Sequence, residues 1–190
     1  MLTYNNMLMV GSIARNTGKT SFCIAFINKW KKEFDIYCLK VTTIRGGESI
    51  CHHGSDGCGA CTSFEGGFDI CVEKNSAGHK DTNQLLAAGA KKVCWIRTKR
   101  EYALQAFESV LCEIPKFALI LCESNVLSEF VRPGVSVLMQ RDGITDVKPS
   151  AKAFRDNADF LCNISYNDNI ERVLSAVKID NCGSISAEKF

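Results

Sequence analysis

The sequence predicts an α/β fold with a doubly wound, mainly parallel sheet and helices on both faces. Two observations support this prediction. Short apolar runs alternate along the chain with longer amphipathic segments, which is typical of βαβ units. The short runs are almost wholly apolar, and strands of that kind are buried on both faces, as in a parallel sheet covered by helices.

The N-terminal part of the chain is predicted to form a strand, a helix and a second strand. Met7–Gly11 is an unbroken apolar run, and Ile36–Val41 is another. Gly18–Phe34 between them has apolar residues at helical spacing and a charged end, which predicts a helix with one buried face. Thr42–Lys80 lacks periodicity and is rich in Gly, Cys and His. A connection of that length is more typical of a functional loop than of a simple link between two elements.

The rest of the chain continues the alternation. Thr82–Ala90 predicts a short helix that stops at Gly89. The further strands and helices are predicted, in chain order, at Lys92–Ile96, Arg100–Cys112, Phe117–Cys122, Val135–Met139, Ala151–Asn157, Phe160–Ile164 and Ile170–Val177. No repeat or second-domain linker is recognisable in the sequence. Residues 1–190 are therefore predicted to form one domain, with an insertion at about 43–80.

Composition and charge argue against several classes of partner. Apolar residues make up 46% of the chain and charged residues 23%, which is ordinary for a globular protein. The net charge of +2 is too small to predict nucleic-acid or membrane binding. No apolar stretch approaches the length of a membrane span, and no signal-peptide pattern opens the chain. A cytoplasmic location is expected.

The segment Met9–Thr20 has the features of a phosphate-binding loop. It follows a predicted strand and opens a predicted helix, where backbone N–H groups and the helix dipole attract anionic oxygens. Lys19 is expected to reach the β- and γ-phosphates, and the Thr20 hydroxyl to coordinate Mg²⁺. The predicted nucleotide-binding residues are Arg15, Asn16, Thr17, Gly18, Lys19 and Thr20.

One position of this loop departs from the usual pattern. Ile13 stands where a glycine is usual, five residues before Gly18, and Gly11 lies two residues earlier. The loop is therefore expected to be longer or differently shaped. The alternative is an ordinary strand-to-helix turn that happens to contain Gly-Lys-Thr.

Glu123 is the second candidate for catalysis, with Lys19. It follows a strongly apolar predicted strand, and the carboxyl ends of strands in doubly wound sheets form the ligand sites. Glu123 is expected to bind Mg²⁺ or to orient the attacking water; the alternative is a solvated loop residue. No Asn-Lys-x-Asp motif is present, so the choice between ATP and GTP stays open.

Cysteine is abundant, with eleven residues. A first group falls within predicted strands and helices and is expected to be reduced and buried: Cys23, Cys38, Cys94, Cys112, Cys122 and Cys162. A second group lies in the glycine-rich segment: Cys51, Cys58, Cys61 and Cys71. These four are predicted to bind Zn²⁺ or an iron–sulfur cluster. A mixed Cys/His site with His52, His53 or His79 and a metal-free loop are the alternatives.

Several short motifs follow one another along the chain in the order seen in one known family. They are Gly11–Thr20, Lys40, Phe68–Ile70, Lys80–Thr82, Ala88–Ala90 and Leu121–Glu123. In these motifs the chain resembles the molybdopterin-guanine dinucleotide biosynthesis protein B family, P-loop proteins of the same broad class as dethiobiotin synthetase and the nickel-inserting GTPases. The Cys-rich segment at about 43–67 and Ser124 depart from that family's pattern.

The resemblance implies the three-layer sandwich of P-loop NTPases. It implies that Lys19 and Thr20 bind phosphate and Mg²⁺, and that Lys80, Asp81 and Thr82 lie near the active site. With the cysteine-rich segment, it leads us to expect a nucleoside triphosphatase that assists assembly of a metal-containing cofactor. Its partner would be a metalloenzyme or cofactor-biosynthesis client, and it could form a homodimer. The alternatives are a small-molecule kinase with a zinc-stapled lid and a non-catalytic nucleotide- or redox-sensing adaptor.

Overall fold

A seven-stranded sheet forms the centre of the protein. The computed structural model describes residues 1–44, 66–145, 147–166 and 168–188. The strands of the sheet are β1 Leu2–Ser12, β2 Ile36–Thr43, β3 Phe68–Val72, β4 Lys92–Thr98, β5 Leu119–Glu123, β6 Val131–Gln140 and β7 Phe160–Asn163. Their spatial order is β3-β4-β2-β5-β1-β6-β7, and every pairing is parallel except that of β3 with β4.

Helices cover both faces of this sheet. They are α1 Lys19–Trp30, α2 Asp81–Ala88, α3 Ala103–Leu111, α4 Pro149–Arg155 and α5 Asn169–Ala176, with short 3₁₀-helices at Arg100–Tyr102 and Val126–Glu129. Helices α1, α2 and α5 share one hydrophobic core with the sheet, and α3 and α4 share the other. This arrangement confirms the predicted doubly wound α/β fold.

The burial of β1 on both faces explains its apolar sequence and sets the direction of the residues that follow. Met7, Leu8, Met9 and Val10 are fully buried. Leu8 and Val10 pack on the α1 side, whereas Met7 and Met9 pack on the α3 side. Because side chains alternate along a strand, Ser12 continues the α1-facing series at the strand's carboxyl end.

The same alternation directs two charged side chains to the α1 side. Cys38 in β2 and Leu121 in β5 belong to the core beneath α1. Lys40 and Glu123 each follow two residues later, so they face the same side at the carboxyl ends of their strands. The sheet therefore presents a lysine and a glutamate next to the connection between β1 and α1.

Strand β3 corrects the expectation that Thr42–Lys80 has no regular structure. β3 lies inside that segment and pairs antiparallel with β4 at the edge of the sheet. Phe68 and Ile70 pack against the core on the α3 side. A five-residue strand at a sheet edge carries little periodicity of its own, and pairing with β4 stabilises it.

The C-terminal residues form a second element that the sequence pattern does not show. Strands β8 Val177–Ile179 and β9 Ile185–Ala187 pair as an antiparallel hairpin directly after α5.

Other predicted elements differ at their ends: β1 begins at Leu2 instead of Met7, and α1 ends at Trp30 instead of Phe34. Among the described residues, no helix has the length and apolar character needed to cross a membrane.

Candidate nucleotide site

The connection between β1 and α1 consists of residues 13–18 and is not longer than an ordinary phosphate loop. The expected lengthening is thus absent, because β1 runs on to Ser12. Ile13 begins the loop, and its side chain is buried in the core on the α3 side. Its N–H donates to the Met139 carbonyl at 3.1 Å, and its carbonyl accepts from the Lys148 N–H at 3.0 Å. The packing of its side chain in the core therefore accounts for Ile13 at the position where glycine is usual.

The end of the loop needs backbone conformations that favour glycine. Gly18 has φ +80°, and a Cβ atom there would lie 2.7 Å from Cγ2 of Ile164. Asn16 has φ 54°, which asparagine tolerates better than most residues. Thr17 is fully buried, and its hydroxyl donates to the Ala14 carbonyl at 3.3 Å. Gly18 is thus required both by its φ and by the close approach of Ile164.

The first turn of α1 has the donors that an anion needs. Gly18 is its N-cap residue and supplies no side-chain cap, and no acidic residue lies in the first turn. The first N–H groups of a helix have no intrahelical acceptor. Arg15 and Asn16 are exposed before this turn, whereas Lys19 and Thr20 are partly buried within it. The predicted nucleotide-binding residues therefore surround one helix N-terminus.

A network of charged side chains lies beside the loop. The Lys19 ammonium is 3.0 Å from the Ser12 hydroxyl and 3.6 Å from Oε1 of Glu123. The Lys40 ammonium is also 3.6 Å from that oxygen and forms an ion pair with Asp81. Strand register explains the grouping, since Glu123 is paired with Val10 of β1 and with Lys40 of β2.

Glu123 has one carboxylate oxygen without a hydrogen-bond partner in the described part of the chain. The residue is 6% exposed, and two ammonium groups face Oε1. Oε2 is buried, and it has no hydrogen-bond partner among the described residues. A buried carboxylate oxygen without a partner is costly, which makes Oε2 a candidate acceptor for a ligand, a metal ion or a metal-bound water.

Asp81 and Lys40 stabilise each other's charged forms. Burial would raise the pKa of Asp81, but the hydrogen bond and charge of Lys40, a hydrogen bond from Thr20 and the charge of Lys19 together lower it. Burial would lower the pKa of Lys40, but Glu123 and Asp81 outweigh burial and raise it. The Thr20 hydroxyl, expected to coordinate Mg²⁺, therefore lies against a carboxylate.

Asn125 links the end of β1, where the loop begins, to helix α4. Its side-chain carbonyl accepts from the Ser12 N–H at 2.8 Å, and its amide donates to the Ser12 carbonyl at 2.8 Å. The amide also lies 3.3 Å from the Ser150 hydroxyl in α4. Asn125 follows a predicted strand by only a few residues, and that position was the one signal in the sequence that could have found it.

The family resemblance includes Lys40 and implies that Asp81 lies near the active site, but the residue pattern by itself predicts a role for neither. A lone lysine in a strand and an aspartate at a helix start are common in any protein. Their roles depend on the register of β2 against β5 and on where α2 begins.

The predicted four-cysteine metal site falls only in part within the described residues. Cys51, Cys58 and Cys61 lie outside the described residues. Cys71 is exposed on β3, opposite Trp95 of β4. Within the described ranges, no group of three or more His, Cys, Asp or Glu side chains is arranged to hold a metal ion. Of the cysteines expected to be buried, the exception is Cys112, which is exposed.

The described ends of the cysteine-rich segment lie together at the carboxyl end of β4. The Ile44 N–H donates to the Thr98 carbonyl at 2.8 Å, and the Lys99 N–H donates to the Gly67 carbonyl at 3.0 Å. The carboxyl ends of β2 and β4 lie at the same end of the sheet as the connection between β1 and α1. The described residues on either side of the cysteine-rich segment therefore lie at the end of the sheet that carries the candidate site.

A polar cleft of about 270 Å³ adjoins the loop. It is lined by Ile13, Gln140, Arg141, Asp142, Gly143, Ile144, Val147, Arg155 and Asn163. A larger cleft of about 460 Å³ lies at the opposite end of the sheet, around Phe34 and Phe117, and contains none of the site residues. The smaller cleft touches the loop only at Ile13, and its described lining includes none of residues 15–20, Lys40, Asp81 or Glu123, so neither cleft marks the candidate site.

Comparison of the chain with protein-family models, curated proteins and solved structures found no match. Its function must therefore be inferred from the residues of the site.

Proposed function

We propose that the chain binds a Mg²⁺–nucleoside triphosphate at residues 15–20 and hydrolyses it, with Lys19 and Glu123 as the catalytic residues. The observation that supports this most is the buried Glu123 carboxylate, whose Oε2 has no described partner while Oε1 faces Lys19 and Lys40. An uncapped helix N-terminus adjoins it. N–H donors for phosphate oxygens, a lysine and a residue that positions water are groups that phosphoryl transfer to water uses, and Glu123 could be the last of these.

The donor set fits Mg²⁺. This ion prefers oxygen ligands and is usually held by one or two carboxylates together with phosphate oxygens and water. The Thr20 hydroxyl and the Glu123 carboxylate would hold it, and Asp81 would accept the Thr20 proton in a hydrogen bond. Mg²⁺ would supply neutralisation of the phosphate charge.

The protein's own residues divide the remaining work. The N–H groups at the start of α1 and the Lys19 ammonium bind phosphate oxygens and stabilise the charge that develops on them. Lys19 and Lys40 face Oε1 of Glu123, which leaves Oε2 to hold Mg²⁺ or to accept a hydrogen bond from the attacking water. Asn125 fixes the end of β1, so that loop and glutamate keep their relative positions.

We further propose that hydrolysis serves the assembly or insertion of a metal-containing cofactor, with Cys51, Cys58, Cys61 and Cys71 as ligands of Zn²⁺ or an iron–sulfur cluster. The ends of the cysteine-rich segment on the edge of the candidate site support a link between metal and nucleotide. A small-molecule kinase would instead show substrate-dependent ADP or GDP formation with one phosphorylated product. An adaptor would bind nucleotide without turnover.

The test combines two variants of the site with calorimetry and steady-state hydrolysis of ATP and GTP. Lys19→Ala should weaken triphosphate binding by about 2 kcal/mol, because the phosphate charge loses its ammonium partner. Glu123→Gln should lower kcat at least about tenfold and change affinity far less, because its contact strengthens in the transition state. Lys32→Ala removes an exposed charge just beyond the opposite end of α1 and serves as the control.

Triphosphate binding by Lys19→Ala at the wild-type level would show that the loop is an ordinary turn. A kcat for Glu123→Gln within about twofold of wild type would make that residue a bystander, whatever the loop binds.

A further inference from the structure

Lys148 lies on the other side of the phosphate loop from Lys40. It directly precedes α4, and its N–H donates to the carbonyl of Ile13, the first loop residue, at 3.0 Å. Asn125 adds a second tie, since it contacts both Ser12 and Ser150. The segment that carries Lys148 is thus held to the start of the loop at two points.

The side chain of Lys148 stands in an unfavourable electrostatic environment. Burial lowers its pKa, the positive charges of Lys19 and Arg15 lower it further, and Glu123 opposes them only in part. None of the ion pairs formed among the described residues includes Lys148. A half-buried lysine among cations costs folding free energy, and an anion bound between them would reverse that cost.

We propose that Lys148 is a third phosphate-binding cation, which acts with Lys19 and Arg15 on the terminal phosphate of the bound nucleotide. This inference rests on the proposed nucleotide binding and extends it to a residue from the connection between β6 and α4. Lys148 would make the site prefer triphosphate over diphosphate.

The position of Glu123 indicates which phosphate Lys148 meets. Glu123 marks the side of the site where Mg²⁺ and the attacking water would lie, which is the side of the terminal phosphate. Its charge acts on Lys148, as does that of Lys19, which is expected between the β- and γ-phosphates. We therefore assign the Lys148 ammonium to the terminal phosphate, the group that Glu123 and Lys19 are expected to flank.

The experiment measures the affinities of Lys148→Met for Mg²⁺ complexes of the β,γ-imido analogues of ATP and GTP, and for ADP and GDP, by calorimetry. Methionine keeps the unbranched apolar stem and removes the charge. The triphosphate analogue should bind about tenfold more weakly, the loss expected for one charge-assisted hydrogen bond, and the diphosphate within about twofold of wild type. Lys148→Arg should keep the triphosphate preference. Lys152→Met removes an exposed charge from α4 and should bind like wild type.

Thermal unfolding without ligand separates a binding role from a structural one. Because burial and the positive charges of Lys19 and Arg15 disfavour the charged form of Lys148, Lys148→Met should raise Tm in the absence of nucleotide while weakening triphosphate binding. A lower Tm with an unchanged preference between tri- and diphosphate would assign Lys148 to packing and overturn the inference.

Two further outcomes distinguish this inference from the proposed function. Suppose that wild type binds nucleotide, and that Lys148→Met either keeps the wild-type affinities for triphosphate and diphosphate or loses affinity for both by the same factor. The inference then fails and the proposed function stands. If wild type binds no nucleotide while correctly folded, both fail.

Discussion

At the scale of single residues, Glu123 shows how a buried charge is made tolerable. Two ammonium groups face one of its oxygens, and those lysines come from different elements, α1 and β2. Lys40 is shared in turn with Asp81 of α2. Removing one member of a buried charge network leaves the others uncompensated, which costs more than the net free energy of the pair itself.

Replacement of Lys40 with Met is therefore expected to destabilise the protein by about 2 kcal/mol, because Glu123 and Asp81 both lose a cation. Adding Glu123→Gln to Lys40→Met should recover part of the loss, since the buried negative charge is then gone. Urea denaturation of wild type, both single variants and the double variant gives the coupling free energy. Strict additivity of the two changes would contradict a shared network.

The pH dependence of the Lys40→Met effect follows from two pKa directions. The pKa of Asp81 is lowered from 3.8, so its stabilising contribution is present above that pH and is lost as pH falls through the lowered value. The pKa of Lys40 is raised from 10.5, so its contribution is present below that pH and is lost as pH rises through the raised value. The stability difference should therefore be flat between about pH 5 and about pH 9.

At the scale of elements, the edge strand β3 constrains the proposed cysteine site. Cys71 is fixed opposite Trp95, next to the last pair in the register between β3 and β4. A centre that uses all four cysteines would therefore have to lie beside this edge strand. A site formed by Cys51, Cys58 and Cys61 with another ligand would have no such restriction.

Metal analysis of cysteine variants after anaerobic purification tests this assignment. Cys58→Ser with Cys61→Ser should abolish bound zinc or iron, and Cys71→Ser should reduce it, because each removes a soft ligand. Cys182→Ser is the matched control, since Cys182 is exposed in the turn between β8 and β9.

A full complement of metal in the double cysteine variant would make the ligand assignment wrong. Loss of metal with wild-type hydrolysis would make the site a structural staple without coupling to nucleotide.

At the scale of the whole molecule, the C-terminal hairpin depends on one glycine of the central sheet. A Cβ atom on Gly134 of β6 would lie 2.4 Å from the carbonyl oxygen of Asn5 in β1 and 2.4 Å from that of Ile185 in β9. Both atoms belong to the backbone, so neither can move away by rotating a side chain. The parallel pairing of β1 with β6 is also irregular between Tyr4 and Leu8. Gly134 thus permits three backbone segments to meet.

Gly134→Ala is expected to destabilise the protein by about 2–3 kcal/mol, because the hairpin or β1 must shift. Gly143→Ala is the control. Among the described residues beyond its two chain neighbours, no heavy atom lies within 4 Å of a Cβ there, but its φ of +77° is unfavourable for alanine, so a loss of about 1 kcal/mol is expected. Denaturant unfolding of both variants gives the comparison. A loss for Gly134→Ala no larger than that for Gly143→Ala would mean that the close approach is easily relaxed.

The sequence by itself determined the fold class and the place of the connection between β1 and α1. Apolar runs such as Met7–Val10 are buried on both faces, and that burial requirement is local enough to be read from residue types alone. The candidate phosphate loop was inferred in the same local way, since Gly18, Lys19 and Thr20 follow one another in the chain, and its binding of a nucleotide stays a prediction. The position of Glu123 at the end of a strand could likewise be predicted from the residues next to it in the chain.

Only the tertiary structure decided which side chains share the site with the loop. Lys40, Asp81, Asn125 and Lys148 come from four different places in the chain and meet through parallel register and through the packing of α2 and α4. Strand β3 and the C-terminal hairpin also depend on partners distant in sequence. The physical reason is that pairing free energy and charge coupling depend on distance in space, and one sequence pattern is compatible with many such distances.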